Sequence, residues 1–350
     1  MIDNVVNELK QQVGPFYQLR LATRTVLGLC CLLPAIPVLA NNDDDESRAG
    51  GRQNDYCSAT ARAQFVACGY EQRDDYFTAQ AVCLNETDDE ERQACLADRT
   101  ANSKESKQLC QEQFDARRDL CAMLGEAQYD PSFRPENFVN PLQIGATVDP
   151  NPYWPLVPRT QWVYQDAGSG QQITVTVTEK TKQIEGVTCI VVNDVVRVNG
   201  ELIEDTDDWI AQDLQGNIWY CGEEVKDYES FSGDHPANPE LVEIAGSFKV
   251  GRDGAKPGIL MYAISTVGQI YRQEFAVGEA EDVAQVIHVN GDEAVFGFSC
   301  ESKCVVTRDF SPLDPGVEEN KFYKPGVGLI LELGVGTTER VELISKSILP

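Results

Sequence analysis

The sequence predicts an α+β protein: a disulfide-stapled antiparallel helical hairpin, followed by an antiparallel β meander that forms a curved sheet or partly open barrel. Three observations carry this. Six cysteines are spaced as a palindrome, the hydrophobic pattern changes to short alternating runs near position 160, and turn dipeptides punctuate those runs.

Cys57, Cys68, Cys83, Cys95, Cys110 and Cys121 are separated by 11, 15, 12, 15 and 11 residues, symmetrically about Asp89. Two antiparallel helices joined by a short turn would set Cys57 level with Cys121, Cys68 with Cys110 and Cys83 with Cys95. At about 100° per residue, steps of eleven and fifteen residues advance a helix by nearly whole turns, so the cysteines stay on one flank. Ala61, Ala79, Ala94 and Ala116 near the seam allow the close approach a disulfide requires. Thr87 and Glu90 have capping-box spacing at the start of the second helix, and Gly125 is a terminator. The hairpin is expected over 56–125. Its staples answer a physical need, because two helices alone bury too little apolar surface to be stable. Its length, on the order of 40 Å at 1.5 Å per residue, suits a rigid spacer or interaction arm. No closely spaced cysteine pair of the zinc-binding kind occurs.

Upstream, Arg20 and Arg24 precede the apolar run Val26 to Ala40, which Pro34 and Pro37 interrupt. Residues 1–40 read as a signal peptide cleaved after Ala40, with an uncleaved membrane anchor as the alternative. Cleavage would discard Cys30 and Cys31. Residues 41–55 read as an acidic flexible leader. The even number of cysteines that remains fits disulfides in an exported protein, periplasmic or extracellular. With 56 acidic and 29 basic residues, the formal charge of -27 argues against nucleic acid as a partner.

Residues 126–158 form a Pro-rich connector whose Phe138, Tyr153 and Trp154 are expected to pack along the β domain at 159–350. Its opening strands are WVYQ, QITVTVTE, VTCIVVNDVVRV, ELIEDTDDWIAQ and NIWYCGEEV. Asn199-Gly200 is a hairpin signal, and Asp213 to Gly216 make a second tight turn. Regular pairing from these turns gives a row Ile190, Trp209, Tyr220 and, with Val192, Val196, Ile203 and Ile218, an apolar core face. The same register opposes Asp194 to Asp205, with Asp207 on that face. Such carboxylates require a bridging cation or a protonated partner, unless a β-bulge in 204–208 turns them to solvent, which is the favoured reading.

Four cysteines remain: Cys189, Cys221, Cys300 and Cys304. Cys189 and Cys221 flank a central strand, about two spacings of 4.8 Å apart, so the preferred pairs are Cys189–Cys304 and Cys221–Cys300.

The segments WVYQ, DTDDWIAQDLQGNIWYCGEEV and TRDFSPLDPGVEENKFYKPGVGLI resemble those of uncharacterised exported bacterial proteins with a C-terminal antiparallel β domain. The resemblance covers about 157–345. The ending Lys321-Phe322-Tyr323-Lys324-Pro325-Gly326-Val327-Gly328 is similar to sheets like those of periplasmic lipoprotein carriers. It implies export and a sheet but no activity. Its glycines read as a bend into the last strand.

No catalytic or cofactor-binding residue stands out, and no metal site or cofactor is expected. The histidines are His235, in a loop, and His288, in an apolar run; there is no G-x-S-x-G elbow and no EF-hand spacing. The expected function is that of an exported non-enzymatic binding or surface-structural protein, with a protein or small-molecule partner and no stable membrane span after signal cleavage. The alternatives are a secreted carboxylate-dependent hydrolase and a carrier of an apolar ligand in the β domain. Weak calcium binding is the one metal reading that the acidic residues raise.

Overall fold

The computed structural model describes residues 55–166, 168–231 and 238–350. The expected signal peptide, the leader before Asp55, and His235 lie outside them. Helix α1 (Tyr56–Leu84) and helix α2 (Asp89–Leu124) form the hairpin. Disulfides join Cys57 to Cys121, Cys68 to Cys110 and Cys83 to Cys95, with Cα separations of 5.6, 5.8 and 5.5 Å. Between the helices Ala61 is buried, and Gln72 Nε2 donates to Ser103 Oγ at 2.6 Å. The α2 N-cap is Asp88 rather than Thr87. Its carboxylate accepts from the Glu90 and Glu91 amides at 2.8 and 3.0 Å, an anion at the positive end of the helix. Gly125, with φ 89°, ends α2 and donates its N–H to Cys121 O.

The strands are β1 (Thr160–Asp166), β2 (Gln171–Ile184), β3 (Val187–Val198), β4 (Glu201–Gln212), β5 (Ile218–Glu224), β6 (Asp227–Glu229), β7 (Glu240–Glu243), β8 (Phe248–Lys249) and β9 (Gly258–Met261). They continue as β10 (Ile270–Arg272), β11 (Val283–Gly291), β12 (Ala294–Val295), β13 (Phe298–Ser299), β14 (Cys304–Phe310), β15 (Glu318–Lys324), β16 (Gly328–Gly334) and β17 (Arg340–Ile348). Among the described residues, fifteen strands form one antiparallel sheet, running from β10 through β11, β14 to β17 and then β1 to β5, where β8 and β9 attach. The sheet curls without closing. One isolated bridge, Lys256 to Phe275, links its ends, and Lys256 N–H donates to Phe275 O at 2.8 Å. Gly258 permits this approach: a Cβ there would sit 1.8 Å from Gln273 O.

The β3–β4 turn is Asn199-Gly200, both residues at positive φ (51° and 90°), and Val198 pairs with Glu201. The next loop is one residue longer than the sequence suggested, since Gln212 pairs with Ile218 and the Asp213 carboxylate accepts from the Gln215 and Asn217 amides. Two bulges then change the register. One leaves Ile203 out of the β3–β4 ladder, so Asp194 faces Thr206 rather than Asp205; the other leaves Cys221 out of the β4–β5 ladder. Ile190 therefore lines up with Ile210 and Tyr220, while Trp209 lies on the opposite face, under Lys182 Nζ at 3.2 Å from the ring centroid. Ile203 and Trp209 thus leave the inner row to which regular pairing assigned them. One inserted residue in a period-two element exchanges its faces.

Both faces of this region are covered. The inner core includes Ile190, Val192, Ile210, Ile218, Leu331 and Leu343. The outer cluster of Cys189, Val191, Trp209, Ala211 and Cys221 lies beneath the connector residues Phe133 and Phe138. Phe138 also meets Trp219 at 5.7 Å, and Trp154 stacks on Tyr323 at 5.9 Å. Each fully buried aliphatic side chain contributes about 1.5–3 kcal/mol.

The pairing of the last four cysteines differs from the expected Cys189–Cys304 and Cys221–Cys300. Cys189 bonds Cys221, and Cys300 bonds Cys304. The two-spacing argument assumed a regular β4–β5 ladder. As the extra residue of a bulge, Cys221 is displaced from that ladder, and its Cα lies 6.8 Å from that of Cys189. Glu301 and Ser302, at φ 53° and 55°, turn the chain tightly enough to bring Cys300 and Cys304 within 5.1 Å.

Candidate functional site: an acidic cavity inside the curled sheet

The inner face of the sheet lines a partly open cavity of about 190 Å³. One wall is aromatic and aliphatic. On β1 and β2, Trp162 pairs with Val175 and Tyr164 with Ile173, and Val192 and Val196 of β3 continue the surface. Trp162 Nε1 donates to Val327 O at 2.7 Å, and Tyr164 Oη donates to Leu329 O at 3.2 Å. These bonds satisfy the polar ends of both rings and fix their position.

The wall formed by β14, β15 and β16 is ionic. Asp309 is paired across the ladder with Glu319, and Lys321 with Glu332, so alternation brings all four to one face. Lys321 Nζ lies 3.5 Å from Asp309, 3.2 Å from Glu319 and 3.6 Å from Glu332. Burial disfavours the ammonium, but Glu332, Glu319 and Asp309 together overcome this and hold its pKa well above the ordinary lysine value. Burial, followed by the neighbouring Glu332, pushes Glu319 well above the usual carboxylate range. Burial also raises Glu332, which shares a side-chain hydrogen bond with Glu319. Asp309 accepts from Gln273 Nε2 at 3.2 Å through Oδ2. Its Oδ1 is buried without a hydrogen-bond partner among the described residues.

The facing wall owes its chemistry to the two bulges. The Ile203 bulge turns Glu204, Thr206 and Asp208 inward beside Asp194, and the Cys221 bulge places Glu223 on the same face as Tyr220. Gly222 makes the second bulge feasible, at φ 125° and with its backbone against Phe248 O. Tyr220 Oη bonds Asp208 Oδ1 at 2.5 Å and Glu223 Oε2 at 3.0 Å. Burial, then Asp208 and Glu223, keep the Tyr220 phenol protonated far above its ordinary range.

The connection between β10 and β11 supplies Gln273, Glu274, Glu279 and Asp282 to the cavity. Its Glu281 turns the other way, toward the hairpin. Arg117 of α2 grips Glu281 through Nε and Nη2 at 2.9 and 2.8 Å, and Gly278 N–H also donates to Glu281 at 2.8 Å. Gln113 Nε2 donates to Leu313 O at 2.8 Å. The hairpin is thus anchored on the connection that closes this side of the cavity.

Asp194 is the one member of the predicted carboxylate group that reaches the cavity. Asp205 and Asp207 point outward, where Asn193 Nδ2 donates to them at 2.7 and 3.1 Å. His288 is exposed on β11. Among the described residues no group of His, Cys, Asp or Glu is arranged to hold a metal ion, and no helix is long and apolar enough to cross a membrane. Sequence reasoning missed Asp309, Glu319, Lys321 and Glu332. Their signal was present: Glu319, Lys321 and Tyr323 alternate along a strand. No family model, curated protein or solved structure matches the chain.

Proposed function

We propose that this is an exported, non-enzymatic binding protein whose β domain holds a small molecule inside the curled sheet. The supporting observation is the cavity itself, with an apolar wall that can desolvate a ligand and a polar wall that can orient it. The five disulfides among the described residues agree with export. The hairpin serves as a rigid element fixed to the cavity's closing connection by the Arg117–Glu281 pair. Binding and apolar-ligand carriage, separate readings at the level of sequence, converge on this one site.

Titration with 1-N-phenylnaphthylamine, whose fluorescence rises in apolar surroundings, tests the proposal. Saturable one-to-one binding is expected, and Val175→Trp, which fills space beside Trp162, abolishes it while the far-ultraviolet spectrum stays native. Binding that Val175→Trp leaves unchanged would move the ligand elsewhere and refute the proposal.

A further inference from the structure

We infer that the outward face of α1 is a self-association surface, on which a second copy of the chain packs antiparallel about a two-fold axis. This goes beyond the ligand-binding reading and does not depend on the cavity.

The side of α1 that meets α2 is occupied by Cys57, Ala61, Cys68, Gln72 and Cys83. At about 100° per residue, the opposite side carries a second regular pattern. Every seventh residue from Ala63 gives Tyr70, Phe77 and Leu84, and the interleaved set is Ala59, Val66, Arg73 and Gln80. The steps alternate between four and three residues, the spacing of a coiled-coil seam, and continue for about 38 Å of helix. Yet Val66, Tyr70, Phe77 and Leu84 are 56%, 68%, 60% and 61% exposed. A continuous apolar stripe left in water marks an interaction surface.

The composition of the stripe selects its occupant. In a parallel pair each residue would face its own counterpart: Arg73 would oppose Arg73, a like-charge contact, and Ala63 would oppose Ala63, a gap. In an antiparallel pair centred between Glu71 and Gln72, the two sets face each other instead. Val66 then packs on Phe77 of the second copy, Leu84 on its Ala59, and Arg73 lies over its Tyr70 ring. Large side chains meet smaller ones, and each guanidinium gains a π face in place of a like charge. Because the contact is isologous, each of these pairs occurs twice.

Sedimentation velocity of the full, disulfide-intact protein, from low micromolar to submillimolar concentration, should show monomer passing into dimer. Phe77→Asp should raise the midpoint concentration by about tenfold or more, because it buries a charge in the seam. Val82→Asp should leave the midpoint unchanged, since Val82 is 67% exposed but lies off the stripe. With p-benzoylphenylalanine in place of Phe77, irradiation should link the dimer to the segment around Val66 of the second copy. A monomer at every concentration would overturn the inference. So would a dimer that Phe77→Asp leaves intact, or a crosslink from position 77 to position 77 or to the β domain. The crosslink decides the matter even if Phe77→Asp does not fold. Binding of phenylnaphthylamine in the cavity is unaffected by any of these outcomes, so the two proposals fail separately.

Discussion

Arg117 and Glu281 form a two-pronged ion pair across the boundary between hairpin and sheet, with both side chains at least nine-tenths buried. The contact joins a helix whose own core is thin to the connection that closes one side of the cavity. Taking the two charges out of water is costly, and the parallel hydrogen bonds with the added Gly278 N–H offset that cost.

Removing one partner leaves the other charged and buried. Arg117→Ala should therefore lower stability by about 3 kcal/mol, with the double substitution Arg117→Ala/Glu281→Ala costing less than the two singles added together. Urea unfolding of the four proteins measures this, and additive losses would show that the pair is not coupled.

The hairpin disulfides should differ in worth according to the loops they close. The bonds are nested, so with Cys68–Cys110 intact Cys57–Cys121 closes only the two segments outside it; by chain entropy its loss costs about 3.5 kcal/mol, and losing Cys83–Cys95, with a separation of 12, about 3 kcal/mol. Paired Cys→Ala variants, compared by denaturant midpoint, check the order. A larger loss at Cys83–Cys95 would reverse it.

Glu339 predicts a pH effect. Burial, then Glu319 and Asp166, push its carboxyl from 4.5 up to about 7. An acid whose pKa is higher folded than unfolded favours the fold in its protonated form. That contribution is complete below about pH 4.5 and is lost as the pH rises through about 7. The melting temperature should fall between about pH 5 and pH 8, and Glu339→Gln should reduce that fall. Identical falls in the two proteins would assign the effect to other groups.

Gly258→Ala would place a methyl group against Gln273 O, where the ends of the sheet meet. The expected loss is about 3 kcal/mol, with amide exchange accelerated around the Lys256–Phe275 bridge. Unchanged protection there would mean that the bridge is not what holds the ends together.

The hairpin was legible in the sequence because its information is local: helix periodicity and cysteine spacing fix the face and the level of each residue without reference to the rest of the chain. The inner and outer faces of β4 and β5 were not legible, because one extra residue, Ile203 or Cys221, exchanges the faces beyond it. Gly222 beside Cys221 was the available clue, since a glycine inside a strand marks a bulge. Missing the Ile203 bulge misplaced Trp209, and missing the Cys221 bulge hid the Cys189–Cys221 bond and concealed the inward turn of Glu223. On β14 to β16 the charged residues lay in plain alternation. What could not be read was that the sheet curls enough to bury them together around Lys321.

The most direct measurement of the central claim is anomalous diffraction from crystals soaked in 4-bromophenethylamine. The bromine should appear inside the curled sheet among Trp162, Tyr164 and Val175. Well-occupied bromine only on the outer surface of the sheet or along the hairpin, with the interior unoccupied, would contradict the assignment of this cavity as the ligand site.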